Sequence, residues 1–217
     1  RDAQESRGLG DVYKRQLSGN MAAIFAVVYA SLLALPVPFE AVHLLFINLL
    51  TDSLPAIAIG MEKPEKDLLS QKPRDPKQGI LTKDFSALML LQGALIAVVV
   101  MTAFYIGLQV NAATASTMAF ATLTLARLFH GFNCRSKHSI FKIGLASNVY
   151  SLLAFAAGVG LLPFVIFVPF MHPLFKIAEL TGAQIGFIAL LAFIPTVIIQ
   201  IAKVLSLIHI SEPTRLL

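Results

Sequence analysis

Six apolar runs, at about residues 17–35, 39–61, 85–108, 115–132, 149–170 and 183–204, constrain this chain more than any other feature. Each is close to the ~20 residues that an α-helix needs to cross the hydrocarbon core of a bilayer. With no water there to satisfy backbone N–H and C=O groups, only helices and closed barrels can span it. The expected fold is therefore all-α, a polytopic membrane bundle of six transmembrane helices. Composition points the same way: 57% of the residues are hydrophobic and 13% are charged, against about 25% charged in a soluble domain.

The loops predict the orientation. Lys63, Lys66, Lys72, Arg74, Lys77 and Lys83 fall between the second and third runs, and Arg135, Lys137 and Lys142 between the fourth and fifth. The other three loops hold one basic residue, Lys176. The positive-inside rule assigns the two basic loops to the cytoplasm, and six spans then bring both termini to that side. A net charge of +5 spread over such loops does not suggest nucleic-acid binding. Pro64, Pro73 and Pro76 argue against a continuous helix across Glu62–Asp84; a solvated connector and a docking strip for a cytoplasmic domain are both open. Cys134 is the only cysteine, which excludes an internal disulfide. No cleavable signal peptide is expected, because the first sixteen residues are polar. Residues 1–16 and 205–217 resemble translated adaptor sequence more than membrane-protein flanks, and are set aside from fold reasoning.

The second run contains NLLTDSLPAIAIG, from Asn48 to Gly60. A carboxylate at the centre of a span costs about 2.5–3.5 kcal/mol on insertion scales. Asn48, Thr51 and Asp52 are spaced i, i+3, i+4, which places them on one helix face. Pro55 has no N–H, so the carbonyl of Thr51 loses its intrahelical donor and the helix is expected to open there. A carboxylate, an amide oxygen, a hydroxyl and a freed carbonyl are hard oxygen donors, the kind calcium takes six to eight of. Asn48 or Thr51 alone would as readily be an interhelical hydrogen-bonding residue. Asp52 is different, since intramembrane carboxylates are rare and mark ion pathways.

Two more polar residues fall within runs. Asn20, near the cytoplasmic end of the first, reads alone as a packing residue. Arg127, in the fourth, either snorkels toward the basic loop or is a fixed countercharge for a group such as Asp52. His43, His130 and His172 are isolated near span ends and read as structural, with no second ligand at metal-binding spacing. Pro163 and Pro195 are expected to bend the fifth and sixth spans. No nucleophile elbow, phosphate-binding glycine loop or zinc motif occurs, and no catalytic residue is assigned.

These residues carry a family resemblance. NLLTDSLPAIAIGMEKPEKDLL followed by KPRDPKQGIL resembles the sixth membrane helix and following loop of calcium-type P-type ATPases. LSGNMAAIFAVV resembles their fifth helix, TMAFATLTLARLFHGFNCRS their eighth, and SIFKIGLASN the approach to the ninth. The resemblance covers about residues 17–204 and implies the C-terminal transmembrane domain of a cation-transporting ATPase. It implies a pump of ten membrane helices, of which this chain holds the last six. Its partners would be the lipid bilayer and the first four helices and cytoplasmic domains of the same pump. ATP and magnesium would act only in those missing domains, so this chain alone should hydrolyse no ATP.

By resemblance, Asn48 and Asp52 match calcium ligands of the sixth helix, Thr51 a ligand of the other site in two-site pumps, and Asn20 the amide ligand of the fifth helix. Ala23 stands where two-site pumps have a glutamate, and Arg127 where they have an acidic ligand on the eighth helix. Both changes remove carboxylates from one site. The implied function is export of one calcium ion per cycle from the cytoplasm, with proton countertransport and with Arg127 as countercharge. Asn20, Thr51 and Ala23 would then shape the site. Manganese is a second candidate, since it also accepts oxygen ligands. The membrane would be the plasma membrane in a prokaryote, and an internal or plasma membrane otherwise. A secondary transporter or channel using Asp52 is the alternative, although it would be expected to show paired broken helices; a non-transporting assembly subunit is a third reading.

Overall fold

The computed structural model describes residues 2–51, 53, 83–134 and 148–211, and every regular element among them is helical. α1 spans Asp2–Leu32. α2 spans Ala41–Phe46 and continues into a π-helical turn, Ile47–Thr51. α3 (Lys83–Leu108) and α4 (Ala112–Asn133) form a tight helical hairpin. α5 (Val149–Phe167), the short α6 (Met171–Phe175) and α7 (Gly182–Ser211) complete the order.

Four segments among the described residues are long and apolar enough to cross a membrane: Ser86–Leu108, Ala112–Asn133, Val149–Phe167 and Gly182–Leu205. They correspond to the third to sixth apolar runs. The apolar part of α1, Gln16–Leu32, is shorter, and the first run's expected end at residue 35 is too late. The reason is a Schellman stop: Leu35 N–H bonds the Ala30 carbonyl at 2.9 Å and Ala34 N–H the Ser31 carbonyl at 3.2 Å, with Ala34 at φ 51°. The fifth run, expected to reach residue 170, ends its helix at Phe167, two residues before Pro169. Pro163 and Pro195 both lie inside continuous helices. Much of the second run, and the loop Glu62–Asp84 up to Thr82, lie outside the described residues.

Helix starts follow local chemistry. Asn111 caps α4 by accepting from Thr114 N–H at 2.8 Å, and Asn148 caps α5 by accepting from Ser151 N–H at 3.2 Å. Thr181 and Gln184 exchange backbone-to-side-chain bonds of 2.8 and 3.3 Å, a capping box for α7. Inside the spans, Thr117 and Thr124 donate to the carbonyls four residues back, at 2.9 and 2.7 Å. Their hydroxyls thus enter an apolar medium already bonded.

α4 is the least apolar of the four spans and the most buried: 78% of its span lies inside the bundle, against 33% for α5 and for α7. In lipid this is the sensible order. Apolar helices face acyl chains without cost, whereas a helix rich in Thr, Ser and Ala gains by close packing and interhelical bonds. α4 accordingly packs against α1, α3, α5 and α7. Backbones meet at Gly107 of α3, where an added Cβ would come 2.6 Å from Ala115 Cα and 2.8 Å from its nitrogen. Those are backbone atoms, so a side chain there must push the two helices apart. Gly107→Leu is expected to destabilise the bundle by about 2–3 kcal/mol or more, in line with overpacking of a filled core. A thermal-unfolding series in detergent checks this, with Gly160→Leu as control, since nothing lies within 4 Å of a Cβ at Gly160.

Two polar clusters tie the ends together. His43 is fully buried and stacked on Phe120 with ring centroids 4.3 Å apart. Its Nδ1 accepts from Glu40 N–H at 3.2 Å, and its Nε2 donates to the Phe175 carbonyl at 2.7 Å. A Glu40–Lys176 ion pair of 2.8 Å closes the same junction at the surface, so the start of α2 is pinned to the end of α6. At the other end of α4, His130 Nε2 lies 3.0 Å from Ser18 Oγ of α1 and 3.4 Å from Cys134 Sγ. Asn133 accepts from Gln200 Nε2 at 2.6 Å and donates to Thr196 Oγ1 at 3.3 Å, joining α4 to α7. His172 donates to the Ile166 carbonyl at 2.8 Å. All three histidines thus hold one element against another.

Candidate cation site

Asn20, Asn48 and Arg127 come from three different elements and meet. Asn20 lies on α1, Asn48 on the π-helical turn after α2, and Arg127 five residues after Thr122 on the buried face of α4. Arg127 is 2% exposed. Its Nη2 donates to Asn20 Oδ1 at 3.1 Å, and its Nη1 to Asn48 Oδ1 at a longer 3.5 Å. Of the two readings of Arg127, snorkelling toward the basic loop does not fit this geometry, because the guanidinium turns inward between two asparagines.

A buried guanidinium is expensive unless its donors find partners. Asparagine suits the purpose, since its amide oxygen accepts without adding charge and leaves a second lone pair for another ligand. Ala23, 8% exposed, follows Asn20 by one turn on the same face and brings no carboxylate to the cluster. Two neutral amide oxygens, one on α1 and one on the π-helical turn, thus accept from the guanidinium.

Asn48 lies in the one π-helical stretch among the described residues, Ile47–Thr51. Such turns add a residue to the ring and shift the register of carbonyls and side chains. Ser53 Oγ reaches back to the Asn48 carbonyl at 3.5 Å, five residues away, in keeping with that wider spacing. Thr51 closes the turn, while Asp52 and Pro55 lie outside the described residues. Of the expected site residues, the structure thus brings together Asn20, Asn48 and Arg127, with Ala23 beside them. Among the residues searched, no group of three His, Cys, Asp or Glu side chains could hold a metal ion. The oxygen donors on view are amides, which suit a hard cation passing through better than a resident transition metal.

Sequence reasoning missed Gly19, whose bare backbone lies against the guanidinium, and the bond from Ser18 to His130 next to it. No local signal marks either, because their partners are more than a hundred residues away.

Residues 36–205 match the family model described as Cation transporting ATPase, C-terminus. The chain is 38% identical over 183 residues to a calcium-transporting ATPase of Bacillus subtilis, covering 83% of this chain and 21% of that protein. It is 39% identical over 193 residues to a calcium-transporting ATPase of Listeria monocytogenes, covering 86% and 21%. It is also 30% identical over 210 residues to the human calcium-transporting ATPase type 2C member 1, covering 92% and 22%. The chain therefore spans about a fifth of the length of these relatives.

Proposed function

Because this chain belongs to the family of cation-transporting ATPase C-termini, we propose that it is a transport-domain fragment of an ATP-driven pump exporting one calcium ion per cycle from the cytoplasm. The observation that carries this reading is the buried guanidinium of Arg127 held between Asn20 and Asn48. A second divalent ion at Asn20 would have to share its amide oxygen with a fixed positive charge, and Ala23 offers no carboxylate to offset the repulsion.

Residues 17–204 form the transport domain in this reading, with six spans and both termini cytoplasmic, and residues 1–16 and 205–217 lie outside it. Asn48 and Asp52 are the direct ligands of the transported ion. Pro55 opens the helix so that backbone carbonyls can join them, and Asn20, Thr51 and Ala23 shape the cavity. Asp52 offers at most two oxygens and Asn48 one, so further ligands, water included, complete the six to eight that calcium takes. When the ion leaves, Arg127 partly balances the carboxylate of Asp52, and a countertransported proton supplies the rest. ATP and magnesium act in the remainder of the longer polypeptide, and domain movements there alternate access to Asn48 and Asp52. Calcium as cargo is supported by the names of the relatives, with manganese the second candidate. The pump would reside in the plasma membrane of a prokaryote, or in an internal or plasma membrane of a eukaryote.

The test is a metal series on the full-length pump in sealed vesicles. Calcium should stimulate ATP hydrolysis, with a single ion moved per ATP, as one cation site requires. Two calcium ions per ATP would refute the stoichiometry, and stimulation by monovalent cations alone would refute the cargo.

A further inference from the structure

Gly19 is buried in the middle of α1, where glycine weakens a helix relative to alanine. What lies against it is the head group of Arg127. A Cβ added at Gly19 would come 2.7 Å from Cζ and 2.9 Å from Nη2 of Arg127, and closer still to Nε. The guanidinium therefore rests on bare backbone. The residues on either side fix the same register: Ser18 Oγ lies 3.0 Å from His130 Nε2, and Asn20 Oδ1 accepts from Arg127 Nη2 at 3.1 Å. His130 follows Arg127 by one turn of α4, so Ser18-Gly19-Asn20 meets α4 as two hydrogen-bonding side chains flanking an open slot.

Other glycines are close-packed for a different reason. A Cβ at Gly107 would meet the backbone of Ala115, and one at Gly93 would meet Met21 Cβ and the Ser18 carbonyl. These are fixed points of helix packing. At Gly19 the three nearest atoms all belong to the far end of one long side chain, which can move while both helices stay in place.

We infer that Gly19 is a positioning residue for the Arg127 countercharge: its missing side chain creates the slot that sets the guanidinium between Asn20 and Asn48. The inference rests on the reading of Arg127 as a countercharge beside a single cation site. A methyl group at residue 19 would lift the guanidinium off α1 and change its distance from the ion, without changing the number of charges in the membrane.

The experiment is a double-mutant cycle in the full-length pump with Gly19→Ala, Arg127→Met and the double variant. The readouts are the calcium concentration for half-maximal phosphorylation from ATP and the pH profile of dephosphorylation. Gly19→Ala is expected to shift half-saturation by about threefold to tenfold, within the coupling range of contacting residues, and to alter the pH profile. In the Arg127→Met background the same substitution should change neither. Equal effects of Gly19→Ala in both backgrounds would overturn the inference, since the methyl would then act through helix packing. Wild-type behaviour of Gly19→Ala alongside a clear Arg127→Met effect would overturn it too, while leaving the countercharge reading intact. Wild-type behaviour of Arg127→Met itself would remove the reading on which the inference depends. Should Gly19→Ala alone fail to fold, recovery in the double variant supports the slot and continued failure overturns it.

Discussion

Asp52→Asn in the full-length pump is expected to abolish calcium-dependent phosphorylation from ATP at micromolar calcium. The substitution keeps the shape of the side chain and one acceptor oxygen, but removes the only negative charge in the stretch from Ala41 to Met61. Calcium sites are tuned over several orders of magnitude by the number of charged ligands and by rigidity. Loss of this carboxylate should raise the calcium requirement by roughly a hundredfold or more. Phosphorylation from inorganic phosphate, which needs no bound cargo in this reading, should survive and prove that the protein is folded. Retention of calcium-dependent phosphorylation at normal calcium would rule out ligation by Asp52. The charge of Arg127 makes the effect steeper, because with one negative charge fewer the guanidinium's repulsion of a divalent ion is less well offset.

Four helices long and apolar enough to cross a membrane were legible in the sequence because their signal is additive. About twenty apolar residues in a row outweigh any local ambiguity. Helix ends were less legible, since they depend on single residues such as Asn111, Asn148 and the Thr181–Gln184 pair. The stop after Leu32 was invisible because Ala34, an alanine, takes the left-handed conformation that normally advertises itself as glycine. The short helix α6 was missed for a related reason: its five residues, Met171–Phe175, carry no periodic pattern.

The site divides along another line. Asn48 and Arg127 were visible as polar residues in apolar surroundings, and Asn20 gained its role through the resemblance. Their meeting was not visible, because they lie 79 and 107 residues from Arg127 and only tertiary packing joins them. Charge and position along α4 leave open whether an arginine turns outward or inward. Its neighbours decide: an apolar wall would send it toward the loop, whereas two amide oxygens and a bare glycine backbone draw it in. Local sequence also hid the nature of the Asn48 turn. Pro55 announces a broken hydrogen bond at Thr51, but the described backbone already widens from Ile47. A π-helical turn is one way to loosen a helix without exposing backbone groups to lipid, since its hydrogen bonds run to the residue five positions away.

Arg127→Met should have the second large effect, and a different one. Methionine fills a similar volume in the bundle but cannot donate to Asn20 or Asn48. With the positive charge gone, a divalent ion at Asn48 and Asp52 meets less repulsion, so calcium affinity should tighten by about tenfold, some 1.4 kcal/mol. The cost falls on the empty site. Once the ion has left, the Asp52 carboxylate has no countercharge, and removing one partner of a buried pair is worth about 3–5 kcal/mol. The carboxylate can relieve that strain only by binding a proton. The sign follows directly: a proton-requiring step is favoured at low pH and fails as pH rises. Dephosphorylation of the Arg127→Met pump should therefore slow more steeply in alkaline buffer than that of the unsubstituted pump, and proton countertransport per calcium should rise. Stopped-flow dephosphorylation across a pH series, with calcium half-saturation measured on the same preparation, separates the two effects. Unchanged values in both would show that the guanidinium between Asn20 and Asn48 is a packing element with no part in balancing the transported charge.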